Sequence, residues 1–160
     1  MSIRQIDGLK WSRHLGARPS CIPIPKPRGS QAAGLRYERN LAKSLPTALH
    51  GCWFEFEDAN GHGYCCPDLI LPQNRQSSLV ILEAKLSFTM TAVPQLWGYL
   101  EVVSRAFNKT TFGVVVTKYL RNVPDYFYIA ASLEDAVVFA QRRPTVLHWL
   151  GAAATLKMAA

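Results

Sequence analysis

The sequence predicts an α/β sandwich built around a mixed β-sheet. Apolar periodicity switches between helical and strand spacing in the order helix, three strands, helix, strand. One of those strands, Leu79–Lys85, is apolar on both alternate sets, as a central strand covered on two faces must be. Size agrees: 160 residues, 49% of them apolar and 18% charged, suit one globular domain with a real core.

Residues 1–29 read as a basic, proline-rich arm. Arg18–Gly29 carries four prolines among basic residues, which predicts extended polyproline-type backbone and no helix. The domain proper is expected over residues 30–150, followed by an Ala-rich tail, 151–160, to which no element is assigned. From Ser30 the spacing of Leu35, Leu41 or Ala42, and Leu45 predicts a helix that Pro46 stops. Glu38 falls on that same side, and an acid on an apolar stripe requires a reason. Cys52–Glu57 alternates as a strand, Asp58–Gly63 is a turn by composition, and Tyr64–Leu71 reads as a second strand. A loop, Pro72–Ser78, leads to the third strand, Leu79–Lys85. A helix over Ala92–Phe107 follows, with Thr91 as cap, Pro94 in its first turn, and Val93, Leu96/Trp97, Leu100 and Val103 facing inward. Thr111–Thr117 is a further strand. Ser132 caps a helix reaching Gln141, and Thr145–Trp149 is a short last strand.

The charge is unevenly placed. The formal net charge is +7. Residues 1–45 hold nine Lys/Arg against Asp7 and Glu38, while the rest of the chain sums to zero. A basic arm on a neutral body suits a polyanion. No stretch is apolar for long enough to span a membrane and no secretory leader is seen, so a cytoplasmic location is expected. The four cysteines should then be reduced thiols. Cys52, His62, Cys65 and Cys66 lack C-x-x-C spacing, and neighbours on a strand point to opposite faces, which argues against zinc.

The chemistry concentrates on the second and third strands. If Leu71 faces Val80, Asp68 lies directly opposite Glu83, and Lys85 shares the face of Glu83 two residues on. Two carboxylates so placed in an apolar strand pair call for a cation between them, and hard oxygen ligands suit Mg²⁺ or Mn²⁺. A lone Glu-x-Lys is a weak signal. Joined to a preceding Pro-Asp and a doubly apolar strand, it is a strong one.

Pro67-Asp68 followed by Glu83-Ala84-Lys85 resembles the PD-(D/E)XK nuclease superfamily, whose motif sits on the second and third strands of an αβββαβ core. Glu38 matches the acid that the family often carries in its first helix. Gln95 and Tyr99, four apart on one helical face, resemble the Gln-x-x-x-Tyr of its RecB-like members. The resemblance covers Ser30–Thr117. It implies a restriction-endonuclease-like mixed sheet flanked by helices and a Mg²⁺-dependent deoxyribonuclease, with Mn²⁺ able to substitute. Asp68, Glu83, the Ala84 carbonyl and Glu38 would then hold metal, and Lys85, Glu83, Asp68 and Gln95 would be catalytic. Tyr99 would meet the scissile phosphate, and Lys26, Arg28 and Arg36 would add contacts to DNA. His62 could reach a phosphate, although a solvated turn position suits it better. Trp53, Phe88 and Trp97 are expected in the core. Two rivals keep the same core: a dimeric resolvase of branched DNA (Holliday junctions), and a non-catalytic nucleic-acid-binding module. By analogy the setting would be a phage, a mobile element, or DNA repair and recombination.

Overall fold

The ten-residue strand Ser78–Ser87 organises the molecule, because both of its faces are apolar and both are covered. A computed structural model describes residues 3–73 and 77–151. In chain order the elements are β1 (Trp11–Gly16), α1 (Ser30–Ser44), β2 (Leu49–His50), β3 (Trp53–Asp58), β4 (Gly61–Cys65) and β5 (Leu69–Pro72). They continue with β6 (Ser78–Ser87), α2 (Ala92–Phe107), β7 (Thr110–Tyr119), β8 (Tyr128–Ala130), α3 (Leu133–Ala140) and β9 (Thr145–His148). The predicted α/β architecture is present: a six-stranded mixed sheet, ordered β2-β5-β6-β7-β9-β8, is flanked by the three helices. A smaller sheet, β1-β3-β4, lies beside it. No helix among the described residues is long and apolar enough to cross a membrane.

Strand parity divides the interior in two. Leu79, Ile81, Ile70 and Val115 pack with Leu96, Tyr99 and Val102 of α2 and with Phe54 and Phe56 of the small sheet. Val80, Leu82, Leu69 and Val116 pack with Tyr37, Leu41 and Leu45 of the α1 segment and with Leu133 and Ala136 of α3. The α1 stripe is therefore 37/41/45, with Tyr37 in the place expected for Leu35.

The predicted second strand is broken into β4 and β5. Partner numbers sum to 119 both in β3·β4 (Phe54 with Cys65) and in β2·β5 (Leu49 with Ile70). The two ladders are one hairpin, interrupted between them. At the interruption Pro67 has no N–H to give a ladder, and Gly51 takes φ +70, where a side chain is strained. Across β5 and β6 the expected register holds, with Leu71 facing Val80 and Leu69 facing Leu82. β6, β7 and β9 then run parallel.

The arm differs from expectation over its first half. Trp11–Gly16 pairs antiparallel with β3, so it is a strand of the fold. Asp58, fully buried, accepts from Arg4 Nη1 at 2.6 Å and from the Asp7 and Asn60 amides, and these contacts hold its carboxyl well below the usual range. Lys10 and Arg13 pair with Glu57 and Glu55. Three of the nine N-terminal cations are thus neutralised, and from Arg18 on the others have no ion-pair partner among the described residues. Ser132 caps α3 as expected, its Oγ accepting from the Asp135 amide at 3.2 Å. Thr91 does not cap α2 through its side chain; it is itself helical, and its hydroxyl meets Thr89. Of the tail, only Gly151 lies within the described residues.

α2 seats on β7 through a glycine. A Cβ on Gly113 would lie 2.7 Å from Leu96 Cδ2 and 2.8 Å from its Cγ, so the helix would have to back away. Gly113→Ala should therefore destabilise the fold by about 1–3 kcal/mol. The reading is a lower urea midpoint at unchanged denaturant dependence; an unmoved midpoint would mean that α2 does not sit this closely.

Candidate active site

Glu83 enters the site from the end of an apolar strand, and its side chain is fully buried. An ionised carboxylate in such a place must find donors. Two reach the same oxygen: Lys85 Nζ at 2.7 Å and Gln95 Nε2, also at 2.7 Å, both on Oε1. Oε2 is buried with no hydrogen-bond partner among the described residues. Burial pushes the Glu83 carboxyl above its ordinary value, against the pull of Lys85.

Asp68 precedes β5. The β5·β6 ladder ends at Leu69 and Leu82; one step further, its register sets Asp68 opposite Glu83. The hairpin register, carried across its interruption, sets Gly51 on the other flank of Asp68. Asp68 Oδ2 accepts from the Ala84 amide at 2.7 Å, which fixes the carboxyl against β6. Burial, then the negative charges of Glu83 and Glu38, raise its pKa well above the ordinary value.

Lys85 is partly exposed, on the face of Glu83. Burial alone would lower its pKa, but Glu83, Asp68 and Glu38 outweigh that and hold it above the usual lysine range. It is therefore an ammonium, a donor and not a base. Gln95 is in the first turn of α2, and its Nε2 donates to Glu83 and, at 3.0 Å, to the Tyr99 hydroxyl.

Five of the expected residues, Asp68, Glu83, Lys85, Gln95 and Tyr99, thus form one connected group, with Ala84 holding Asp68. Tyr99 is fully buried, and burial raises its pKa far above the ordinary phenol value. Its hydroxyl braces Gln95 from inside, so it does not present itself to a phosphate as expected. Glu38 rises from α1 on the opposite face of the sheet, and its Oε1 bonds His50 Nε2 at 2.9 Å. Its charge is felt by Asp68 and Lys85, but His50 is its direct partner. That histidine was not singled out from sequence, because a two-residue strand leaves no periodicity to read. Lys26, Arg28 and Arg36 are exposed, without ion-pair partners among the described residues. His62 bonds Glu55 at 2.6 Å on β4. Trp53 and Phe88 are core residues, whereas Trp97 is 63% exposed. The buried stripe of α2 is centred on Gln95, Leu96 and Tyr99, turned from the one expected on apolarity alone.

Among the described residues no three His, Cys, Asp or Glu side chains converge as a metal site. The donor set is two carboxylates, one of them with an oxygen unpartnered among the described residues, and the charge of Glu83 raises the proton affinity of Asp68. That set fits Mg²⁺, which is commonly held by one or two carboxylates and keeps several waters. Cys66, beside the site, is pushed up to about 12 by burial and then by the Asp68 charge, so its sulfur stays a thiol.

Fold and site define a mixed α/β protein with a buried carboxylate pair and a lysine at the carboxyl end of a central strand. No protein-family model, no curated protein and no solved structure matches the chain.

The raised pKa of Asp68 has a consequence for stability. A carboxyl held above its unfolded value favours folding when protonated and opposes it once pH rises through the folded pKa. Asp68→Asn should therefore raise the metal-free melting temperature at pH 7–8, with the gain shrinking as pH falls towards about 4. Mg²⁺ or Mn²⁺ at about 100 times its Kd should stabilise the wild type by about 2.7 kcal/mol and the variant far less. Equal melting temperatures in metal-free buffer at neutral pH would mean that Asp68 is not electrostatically strained.

Proposed function

We propose that this chain is a metal-dependent nuclease that hydrolyses phosphodiester bonds of DNA on a PD-(D/E)XK-type core. The single observation that carries the reading is the buried Glu83, set opposite Asp68 by strand register, with one oxygen unpartnered among the described residues and the other held by Lys85 and Gln95. A purely structural core would more cheaply place apolar residues there. The connectivity supports the same reading: helix α1, a hairpin of two interrupted strands, β6, helix α2, then β7 parallel to β6.

Asp68 and Glu83 would hold the ion, with the Ala84 carbonyl as a further oxygen. When bound, Mg²⁺ or Mn²⁺ supplies an acidified water and offsets charge on the phosphate. Lys85, as an ammonium, orients the attacking water and stabilises the charge developing on the phosphoryl oxygens. Gln95 keeps Glu83 in its rotamer, and Tyr99 keeps Gln95 in its own. The unpaired cations from Arg18 to Lys43 add affinity without sequence preference, which makes binding salt-sensitive.

Labelled single-stranded, duplex and four-way DNA incubated with Mg²⁺, Mn²⁺ or EDTA test this. Metal-dependent cleavage is expected in the wild type, falling by about 10²–10³-fold or more in Asp68→Ala, Glu83→Ala and Lys85→Ala variants that keep the native circular dichroism. Cleavage surviving in folded Glu83→Ala would remove the site assignment. The preferred substrate, with the mass in solution, separates a general nuclease from a branched-DNA resolvase. Salt-sensitive binding without cleavage would leave a binding module.

A further inference from the structure

The carboxyl ends of β6, β7 and β9 finish along one edge of the sheet, because the three strands run parallel. Lys85 pairs with Thr117, and Thr117 with His148. These three residues form a row across neighbouring strands, on the face that carries Glu83. Two strand spacings, about 10 Å, separate the backbone of Lys85 from that of His148. In open α/β sheets, ligands bind outside the carboxyl ends of the strands.

Immediately beyond the row the chain leaves β7 through Lys118, Tyr119, Leu120 and Arg121. With His148 these residues line an open recess of about 400 Å³. Among the described residues its lining includes no acid. Lys118 and Arg121 have no ion-pair partner among the described residues. Lys118 Nζ stands 5.5 Å from the centre of the Tyr119 ring, which is half exposed. His148 Nε2 lies 3.1 Å from the Lys118 carbonyl, so Nε2 donates there and the ring is fixed against the recess wall. Two free cations, an oriented imidazole and an exposed aromatic face are what a strand of polynucleotide uses: charge for a phosphate, a ring for a base or sugar.

We infer that this recess is a phosphate subsite for the strand being cut, so that the polynucleotide crosses the carboxyl edge of the sheet from Glu83 and Lys85 towards His148. The inference rests on the nuclease reading for what happens at Glu83. The binding it describes can be measured without any cleavage.

The test compares the full chain with Lys118→Ala/Arg121→Ala and with a control pair, Lys109→Ala/Arg142→Ala. Lys109 precedes β7 and Arg142 precedes β9, so both are exposed cations at the opposite end of the same strands. Binding of labelled single-stranded and duplex DNA is followed by anisotropy between about 50 and 200 mM NaCl. The recess pair should weaken binding about tenfold. It should also make the slope of log K against log salt shallower by about 1.4 on single strands or 1.8 on duplex, the effect of two lost phosphate contacts. The control pair should leave the slope in place. An unchanged slope in the recess pair, or an equal change in both pairs, overturns the subsite. If the double variant fails to fold, Arg121→Glu alone should still weaken binding and flatten the slope, and its failure to do so overturns the subsite equally. A wild type that shows the recess-dependent slope yet never cleaves with Mg²⁺ or Mn²⁺ sinks the nuclease reading and upholds the subsite. A wild type that cleaves while the recess pair keeps its slope sinks the subsite alone.

Discussion

The burial of one carboxylate, Glu83, is the constraint on which the rest of the site depends. An ionised acid inside an apolar sheet costs several kcal/mol unless it is paired and hydrogen-bonded. The chain meets that cost from two directions, along β6 with Lys85 and down from α2 with Gln95. Both donors choose Oε1. A network built only for stability would have satisfied both oxygens, since a buried acceptor without a donor costs about 1–3 kcal/mol. Leaving Oε2 unmet among the described residues and setting a second acid, Asp68, opposite Glu83 by register keeps the two carboxyls electrostatically strained. Protonation of one acid relieves that strain, and so would a cation between the two.

The interrupted hairpin has the same logic. A continuous strand from Gly61 to Pro72 would hold Asp68 in register between two neighbouring strands. Pro67 cannot donate, and Gly51, at φ +70, bends the opposing backbone away from the register that both flanking ladders share. At this break the Asp68 side chain accepts from the Ala84 amide. The break divides what would be one sheet into two, and it does so beside the carboxylates.

Much of this was legible. The central strand, α2 to the residue, the capping of α3 and the register that opposes Asp68 to Glu83 all follow from periodicity and from strand pairing. These are local patterns or consequences of one turn. β1 was not legible, because its alternation, Trp11, Arg13 and Gly16 against Ser12 and His14, is not apolar; the strand is held by Arg4 on Asp58 and by Arg13 on Glu55, contacts more than forty residues apart in sequence. β2 and β8, two and three residues long, are defined only by their neighbours. The α2 stripe was misjudged for a related reason. Gln95 and Tyr99 look like surface residues until Glu83 gives their polar atoms something to do inside. The direction of Glu38 also depended on His50, a partner no spacing rule announces.

Topology explains why the chemistry gathers at one edge. β5 runs antiparallel to β6, so the start of β5, where Asp68 stands, lies beside the end of β6, where Glu83 and Lys85 stand. Only four residues join β6 to α2, so the first turn of that helix, with Gln95, must return over the same spot. β7 and β9 run parallel to β6 and also end there, bringing Thr117, Lys118 and His148. Five separated stretches of chain thus meet by the connection rules of a hairpin joined to parallel crossovers. The opposite end of these strands receives the amino ends of β7 and β9 and the apolar cleft under Trp97, lined by Val93, Leu100 and Phe112. The acids and the cations in reach of them therefore occupy one edge and the exposed apolar surface flanks the other. On the proposed nuclease reading, a polynucleotide would run along that edge, its phosphates met by the cations and separated from the paired carboxylates by a bound metal ion.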